Sequence, residues 1–172
     1  MVTGALTILG IDPGSQVTGF GVIVVEGRAM RYLASGCIRT RGGEMADRLR
    51  IIFEGATRLV DQYQPDEISV ERVFMHRNAD SALKLGQARA AALCGTFLRL
   101  APVHEYAARE VKLAVTGSGA AEKVQVAHMV RKLLAVRGPL AADAADALAV
   151  AICHAQLRKG RALRAALAGG TG

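Results

Sequence analysis

The spacing of apolar residues changes period once the chain passes residue 43, and that change bounds the fold. Before it lie three β-rich segments, Leu6 to Ile11, Gly19 to Val25 and Met30 to Thr40. The turn-like stretches GSQVTG and EGRA separate them, which predicts a three-stranded antiparallel meander. After it, Met45, Leu49, Ile52, Phe53, Ala56, Leu59, Val60 and Tyr63 follow the three-and-four spacing of a helix with one buried face, and Pro65 ends the run. EISV (67–70) reads as a buried strand, and a second helix starts near Asn78 to Asp80, which can cap it. Val103 to Tyr106 is a short strand and AAREVKLAV is helical. Gly117-Ser118-Gly119 breaks the chain before a helix with Val124, Ala127, Val130, Leu133 and Leu134 on one face, and AADAADALAVAICHAQL is the last helix. The order βββαβαβ followed by helices predicts an α/β fold, a sheet of mixed sense with helices on its faces. One domain spans 1–157, and the basic, Ala/Gly-rich stretch 158–172 reads as a flexible tail.

In ILGIDPGSQVTGFGVI (8–23) the apolar first strand runs straight into Asp12 and breaks at Pro13-Gly14. A carboxylate buried alone costs several kcal/mol, so it must be solvated, hydrogen-bonded or bound to a cation. The strand EISV likewise ends on an acid, Glu71. Asp143 and Asp146 are three residues apart, hence on one helical face. Four acids from three distant segments would repel and raise one another's pKa values unless a cation lies between them. An all-oxygen set favours Mg²⁺ or Mn²⁺ over zinc. Two such ions ~3.5–4 Å apart can activate a water and stabilise the leaving oxygen in phosphodiester cleavage. Each acid also has a plainer reading: Asp143 as a helix N-cap, Asp12 as a turn residue, Glu71 as the partner of Arg72. Asp146, set among Ala and Leu, is the hardest to explain that way.

The chain carries 22 Lys and Arg against 15 Asp and Glu, a net charge of +7, which suits a partner of anionic polymer as well as a merely soluble basic protein. Three widely spaced cysteines, Cys37, Cys94 and Cys153, read as reduced core thiols. The N-terminal apolar run is short and ends at Asp12, and Asp146 interrupts the longest apolar stretch, so a cytoplasmic protein is expected. In VFMHRNADSALKLGQARA (73–90), Phe74 follows the Glu71 strand beside His76 and Arg77. It can stack on an unpaired base, wedge a junction, or fill the core at a strand-to-helix turn. Lys84, Arg89, Arg109, Lys112 and Lys123 are either solvated helix charges or phosphate contacts.

GIDPGSQVTGFGVI, GCIRT, ERVFMHRNADSALKLGQARA, EYAAREVK, AEKVQVAHMV and DAADALAVAICH, in that order from Leu9 to His154, together resemble the RuvC family of bacterial Holliday-junction resolvases. The resemblance implies an RNase H-like fold with a mixed five-stranded sheet, and a homodimer that makes paired, symmetric, Mg²⁺-dependent nicks in four-way DNA junctions. It places the catalytic, metal-binding acids on Asp12, Glu71, Asp143 and Asp146. Asp12 bridges two ions, Glu71 lies on one side, and Asp143 and Asp146 lie on the other. Some relatives carry His at the position of Asp143. The resemblance puts the junction-stacking aromatic on Phe74 and functional lysines on Lys112 and Lys123; beside these, Arg77 in the same loop and Lys84 on the following helix are read from the sequence as further DNA contacts. It gives the dimer contact to the helix after the Phe74 loop, where Leu85, Ala88, Ala92 and Gly95 form a small apolar face, and names the RuvAB branch-migration complex as a partner. Other readings are a YqgF-type nuclease acting on RNA, a non-catalytic junction-binding module, and one half of an actin-like or sugar-kinase ATPase, which needs two such domains.

Overall fold

In the computed structural model, which describes residues 4–72 and 78–168, the chain runs β1 (Leu6–Asp12), β2 (Val17–Glu26), β3 (Ala29–Arg39), α1 (Met45–Tyr63), β4 (Glu67–Glu71), α2 (Ala79–Thr96), β5 (Val103–Tyr106), α3 (Ala108–Thr116), α4 (Lys123–Leu134) and α5 (Ala142–Ala168). The five strands form one sheet in the order β3-β2-β1-β4-β5. The first three pair antiparallel, and β4 and β5 join parallel to β1. Parallel neighbours require crossovers, which α1 and α2 supply.

The sheet separates two apolar cores. On one face Leu9, Ile11, Val22, Ile68 and Val70 meet Ile52, Leu59 and Val60 of α1 and Ala88 and Ala92 of α2. On the other, Ile8, Ile23 and Tyr106 meet Val111, Val130 and the apolar run of α5. Alternation along β4 assigns Ile68 and Val70 to the first core, so Glu67, Ser69 and Glu71 face α5.

Three glycines let α5 lie unusually close to the sheet. A Cβ at Gly10 would collide with the carbonyl of Ala147, one at Gly19 with the carbonyl of Asp143, and one at Gly21 with the Leu148 side chain. The consequence is positional: the first turns of α5, with Asp143 and Asp146, rest directly on β1 and β2. At the head of this region, Thr18 Oγ1 donates to the Gly14 carbonyl at 3.0 Å and accepts from the Gly14 N–H at 3.3 Å. This closes the turn that follows Asp12.

The helix starts are chemically explicable. Asn78 Oδ1 accepts from the Asp80 and Ser81 N–H groups, capping α2 as expected. At α4, Gln125 reaches back to the Glu122 N–H at 2.8 Å. Three differences from the sequence reading have physical causes. α5 continues past the 157/158 boundary to Ala168, and Arg158 is fastened to Glu67. Cys94 is exposed and Cys37 half-buried, so of the three thiols Cys153 alone is a core residue. Cys94 lies on the side of α2 opposite Ala92. Finally, Ala88 and Ala92 are fully buried and Gly95 abuts the Phe53 carbonyl and Ala56 of α1, so the small face of α2 packs within the chain. Among the described residues no helix is long and apolar enough to cross a membrane.

Candidate active site

Parallel pairing of Leu9 with Ile68 and Ile11 with Val70 sets Asp12 and Glu71 side by side at the carboxyl ends of β1 and β4. Ligands of open α/β sheets bind at such ends. Above them the glycine-seated α5 brings Asp146. Asp12, Glu71 and Asp146 line one cleft of about 230 Å³ together with Lys112 of α3 and Lys123 of α4. Lys123 Nζ donates to Asp146 Oδ2 at 2.8 Å. Asp143 lies in the first turn of α5 and is not among the residues lining that cleft, but its charge acts on Asp12.

The electrostatics follow from this convergence. Burial, then the charges of Glu71 and Asp146, push the Asp12 carboxyl from 3.8 up to about 7, against the pull of Lys123. Burial and then Asp146 raise Glu71, while Lys123 and Lys112 oppose them. The Lys123 ammonium is raised by its hydrogen bond to Asp146 and by that carboxylate's charge. The site therefore holds more negative charge than its own lysines neutralise. Hard oxygen donors with that excess fit a divalent cation such as Mg²⁺ or Mn²⁺.

Most of the plainer readings of the acids fail on geometry. Asp143 is inside α5, past its first residue Ala142, and is not the N-cap. Arg72 leans toward Glu105, with Nε at 3.8 Å from Oε2. Among the expected phosphate contacts, Lys112 and Lys123 reach the cleft. Lys84 is instead bound to Asp80 at 2.6 Å on the exposed side of α2 and is not part of the cleft lining. Arg89 Nη2 donates to Glu105 Oε1 at 2.5 Å beneath the sheet edge, so its charge is spent on the fold. Phe74 and Arg77 lie outside the described residues.

Two features escaped the sequence reading. Cys37 pairs with Gly19 across β2 and β3, and its thiol is raised by burial and by Asp143, which places it at the rim of the acid cluster. At the other end of β4 a polar chain runs through the α5–sheet interface. Tyr106 Oη lies 2.7 Å from His154 Nδ1, His154 Nε2 lies 2.5 Å from Glu67 Oε2, and Arg158 grips both Glu67 oxygens at 2.9 and 2.7 Å. The signal was His154 itself, a polar ring inside an apolar helical run.

The family model described as crossover junction endodeoxyribonuclease RuvC matches residues 8–154. The curated protein of that name from Methylococcus capsulatus is 57% identical over 152 residues, 88% of this chain and 92% of that one. Its counterpart from Vibrio campbellii is 57% identical over 152 residues, 88% of each chain. Among solved structures, T. thermophilus RuvC in complex with Holliday junction substrate superposes with a TM-score of 0.83 at 34% identity, covering 90% of this chain and 96% of that one. The acid-ended strands, the glycine-seated helix and these likenesses across nearly the whole chain agree: the chain belongs to the RuvC family of crossover junction endodeoxyribonucleases.

Proposed function

We propose that the chain is a metal-dependent endonuclease that resolves four-way DNA junctions by paired, symmetric nicks, with Asp12, Glu71, Asp143 and Asp146 as its metal-binding catalytic acids. The observation that carries this reading is the meeting of Asp12, Glu71 and Asp146 with Lys112 and Lys123 in one cleft. Bound Mg²⁺, with Mn²⁺ as substitute, supplies the Lewis acidity that phosphodiester hydrolysis needs. Asp12 on the central strand, Glu71 beside it on β4, and Asp143 and Asp146 from the first turns of α5 would hold the ions. Lys112 and Lys123 would hold the scissile phosphate, Lys123 giving up its hydrogen bond to Asp146 to do so. Phe74 stacks at the opened junction, with Arg77 and Lys84 contributing weaker, sequence-independent phosphate attraction.

Two symmetric nicks require two sites, hence a homodimer. Because the small face of α2 is used internally, the dimer contact falls on its opposite stripe, where Leu83, Ala90, Cys94 and Phe97 recur at three-and-four spacing and are all exposed. Leu83 and Phe97 are 69% and 59% accessible, which a second copy would cover. The family resemblance extends the reading to work in the cytoplasm alongside the RuvAB branch-migration complex.

The test is Mg²⁺-dependent cleavage of a synthetic four-way junction beside a linear duplex of matching sequence. Junction cutting alone, in symmetric pairs, is the expected result. Equal cutting of both substrates, or none in Mg²⁺, overturns the reading.

A further inference from the structure

Asp146 and His154 lie about 12 Å apart along α5, and Glu71 and Glu67 about 13 Å apart along β4. The two elements therefore frame two polar clusters, the acid cleft at one end and a second group at the other. The side-chain ligand atoms of Glu67, His104 and His154 all lie within 4.8 Å of one another. They come from β4, β5 and α5 respectively.

We propose that Glu67, His104 and His154 form a second metal site, distinct from the acid cleft, selective for a borderline d-block dication such as Zn²⁺ over Mg²⁺. Two imidazoles and one carboxylate are a zinc-type donor set, with one position left for water, whereas Mg²⁺ prefers oxygen alone. Zn–N and Zn–O bonds of ~2.0–2.2 Å set tetrahedral donors ~3.3–3.6 Å apart, so Glu67 Oε2 and His154 Nε2, hydrogen-bonded at 2.5 Å, would open as the ion replaces the shared proton, while the His104 nitrogen, within 4.8 Å of both, would close in. His104 stacks on His154 with ring centroids 4.3 Å apart, so a small rotation of the half-buried His104 brings its nitrogen toward the shared point.

The surroundings supply what a metal-binding imidazole ordinarily has. Its second nitrogen is usually engaged by a fixed hydrogen-bond partner; here His154 Nδ1 faces Tyr106 Oη at 2.7 Å, with both side chains fully buried. Ligation through Nε2 requires the single ring proton to sit on Nδ1. The Tyr106 hydroxyl oxygen can accept it as readily as its O–H can donate. Burial keeps the imidazole neutral, as a ligand must be. Arg158 Nη2 holds Glu67 Oε1 at 2.7 Å. Arg158 Nε also donates to Oε2 at 2.9 Å, so the carboxylate is fixed from one side, and the second lone pair of Oε2, the one facing His154 Nε2, is the one a cation would take. Access comes from the Glu67 and His104 side, since Glu67 is 17% exposed and His154 is 1% exposed.

Such an ion would tie the last helix to both parallel strands. The test titrates Zn²⁺, and Co²⁺ as its spectroscopic stand-in, into the full-length chain with Mg²⁺ in large excess to occupy the acid cleft. One Zn²⁺ per chain, a raised unfolding temperature and Co²⁺ absorption bands of a nitrogen-containing, low-coordinate site are expected. His104→Ala, a half-buried position, and the isosteric Tyr106→Phe should fold normally by circular dichroism. His104→Ala should weaken Zn²⁺ binding by at least the ~10–100-fold typical of losing a ligand's supporting partner, and Tyr106→Phe by about that factor. No Zn²⁺ uptake over Mg²⁺, or uptake unchanged in His104→Ala, overturns the site.

Discussion

Replacing Asp12 by Asn should make the protein more stable when divalent cations are absent, although the same change removes its activity. In the fold Asp12 titrates at about 7 because it is buried and faces Glu71 and Asp146, against 3.8 for a free side chain. Between those values the native state keeps a proton that the unfolded chain has released. Wild-type stability therefore falls as pH rises from about 4 to about 7 and levels off above. A shift of roughly three units corresponds to ~4 kcal/mol. The substituted amide does not titrate and carries no charge, so the gap between variant and wild type opens over the same interval. For a chain of this size ~4 kcal/mol is on the order of 8–16 °C in melting temperature. The assay is thermal unfolding of both proteins at pH 4.5 and pH 8 in chelator, repeated with Mg²⁺, which stabilises the wild type selectively and narrows the gap. Equal melting temperatures at pH 8 in chelator would refute the view that Asp12 sits in uncompensated negative potential.

Gly19→Val drives a side chain into the Asp143 carbonyl and should cost ~1–3 kcal/mol while displacing the acids of α5; Gly4→Val, in open space, should do neither in paired melting and cleavage assays. Acid should loosen the α5–sheet interface. Arg158 holds the Glu67 carboxyl from 4.5 down to about 2, so its contribution is present above pH 4.5 and lost toward pH 2. Burial holds the His154 imidazole from 6.5 down to about 4, so the unfolded state takes its proton first and stability falls from pH 6.5 to 4. Glu67→Gln should remove the lower part of this acid titration, read by urea unfolding against pH. Its loss at neutral pH, discounted for the water that still reaches the carboxylate, is ~2–3 kcal/mol. Leu83→Asp combined with Phe97→Asp should give monomers by light scattering with an unchanged far-ultraviolet spectrum; a persisting dimer would place the contact elsewhere.

The elements were legible where a local rule and the tertiary structure agree. The Met45–Tyr63 helix shows its buried face at helical spacing, the Asn78 cap announces α2, and strand-terminal acids mark the ends of β1 and β4. The meeting of Asp12, Glu71 and Asp146 in one cleft was legible because carboxylates in apolar runs demand partners wherever they occur. The seating of α5 was not, since Gly10, Gly19 and Gly21 look like ordinary strand glycines until a helix backbone is laid across them. Small residues misled on α2 for a related reason. Ala88, Ala92 and Gly95 do mark close helix packing, but against α1 of the same chain. Composition likewise could not reveal that Arg158, the first residue of a basic stretch, turns back to Glu67 across 91 positions.

The most decisive measurement is the separation of binding from cleavage in Asp146→Asn. This side chain lines the cleft and receives the Lys123 hydrogen bond, and its replacement by Asn removes a negative charge while leaving every lysine and arginine in place. Binding of a four-way junction should be retained at wild-type affinity or better, with steep salt dependence, while Mg²⁺-dependent nicking is lost. An Asp146→Asn protein that nicks the junction at the wild-type rate would contradict the assignment of this cleft as the active site.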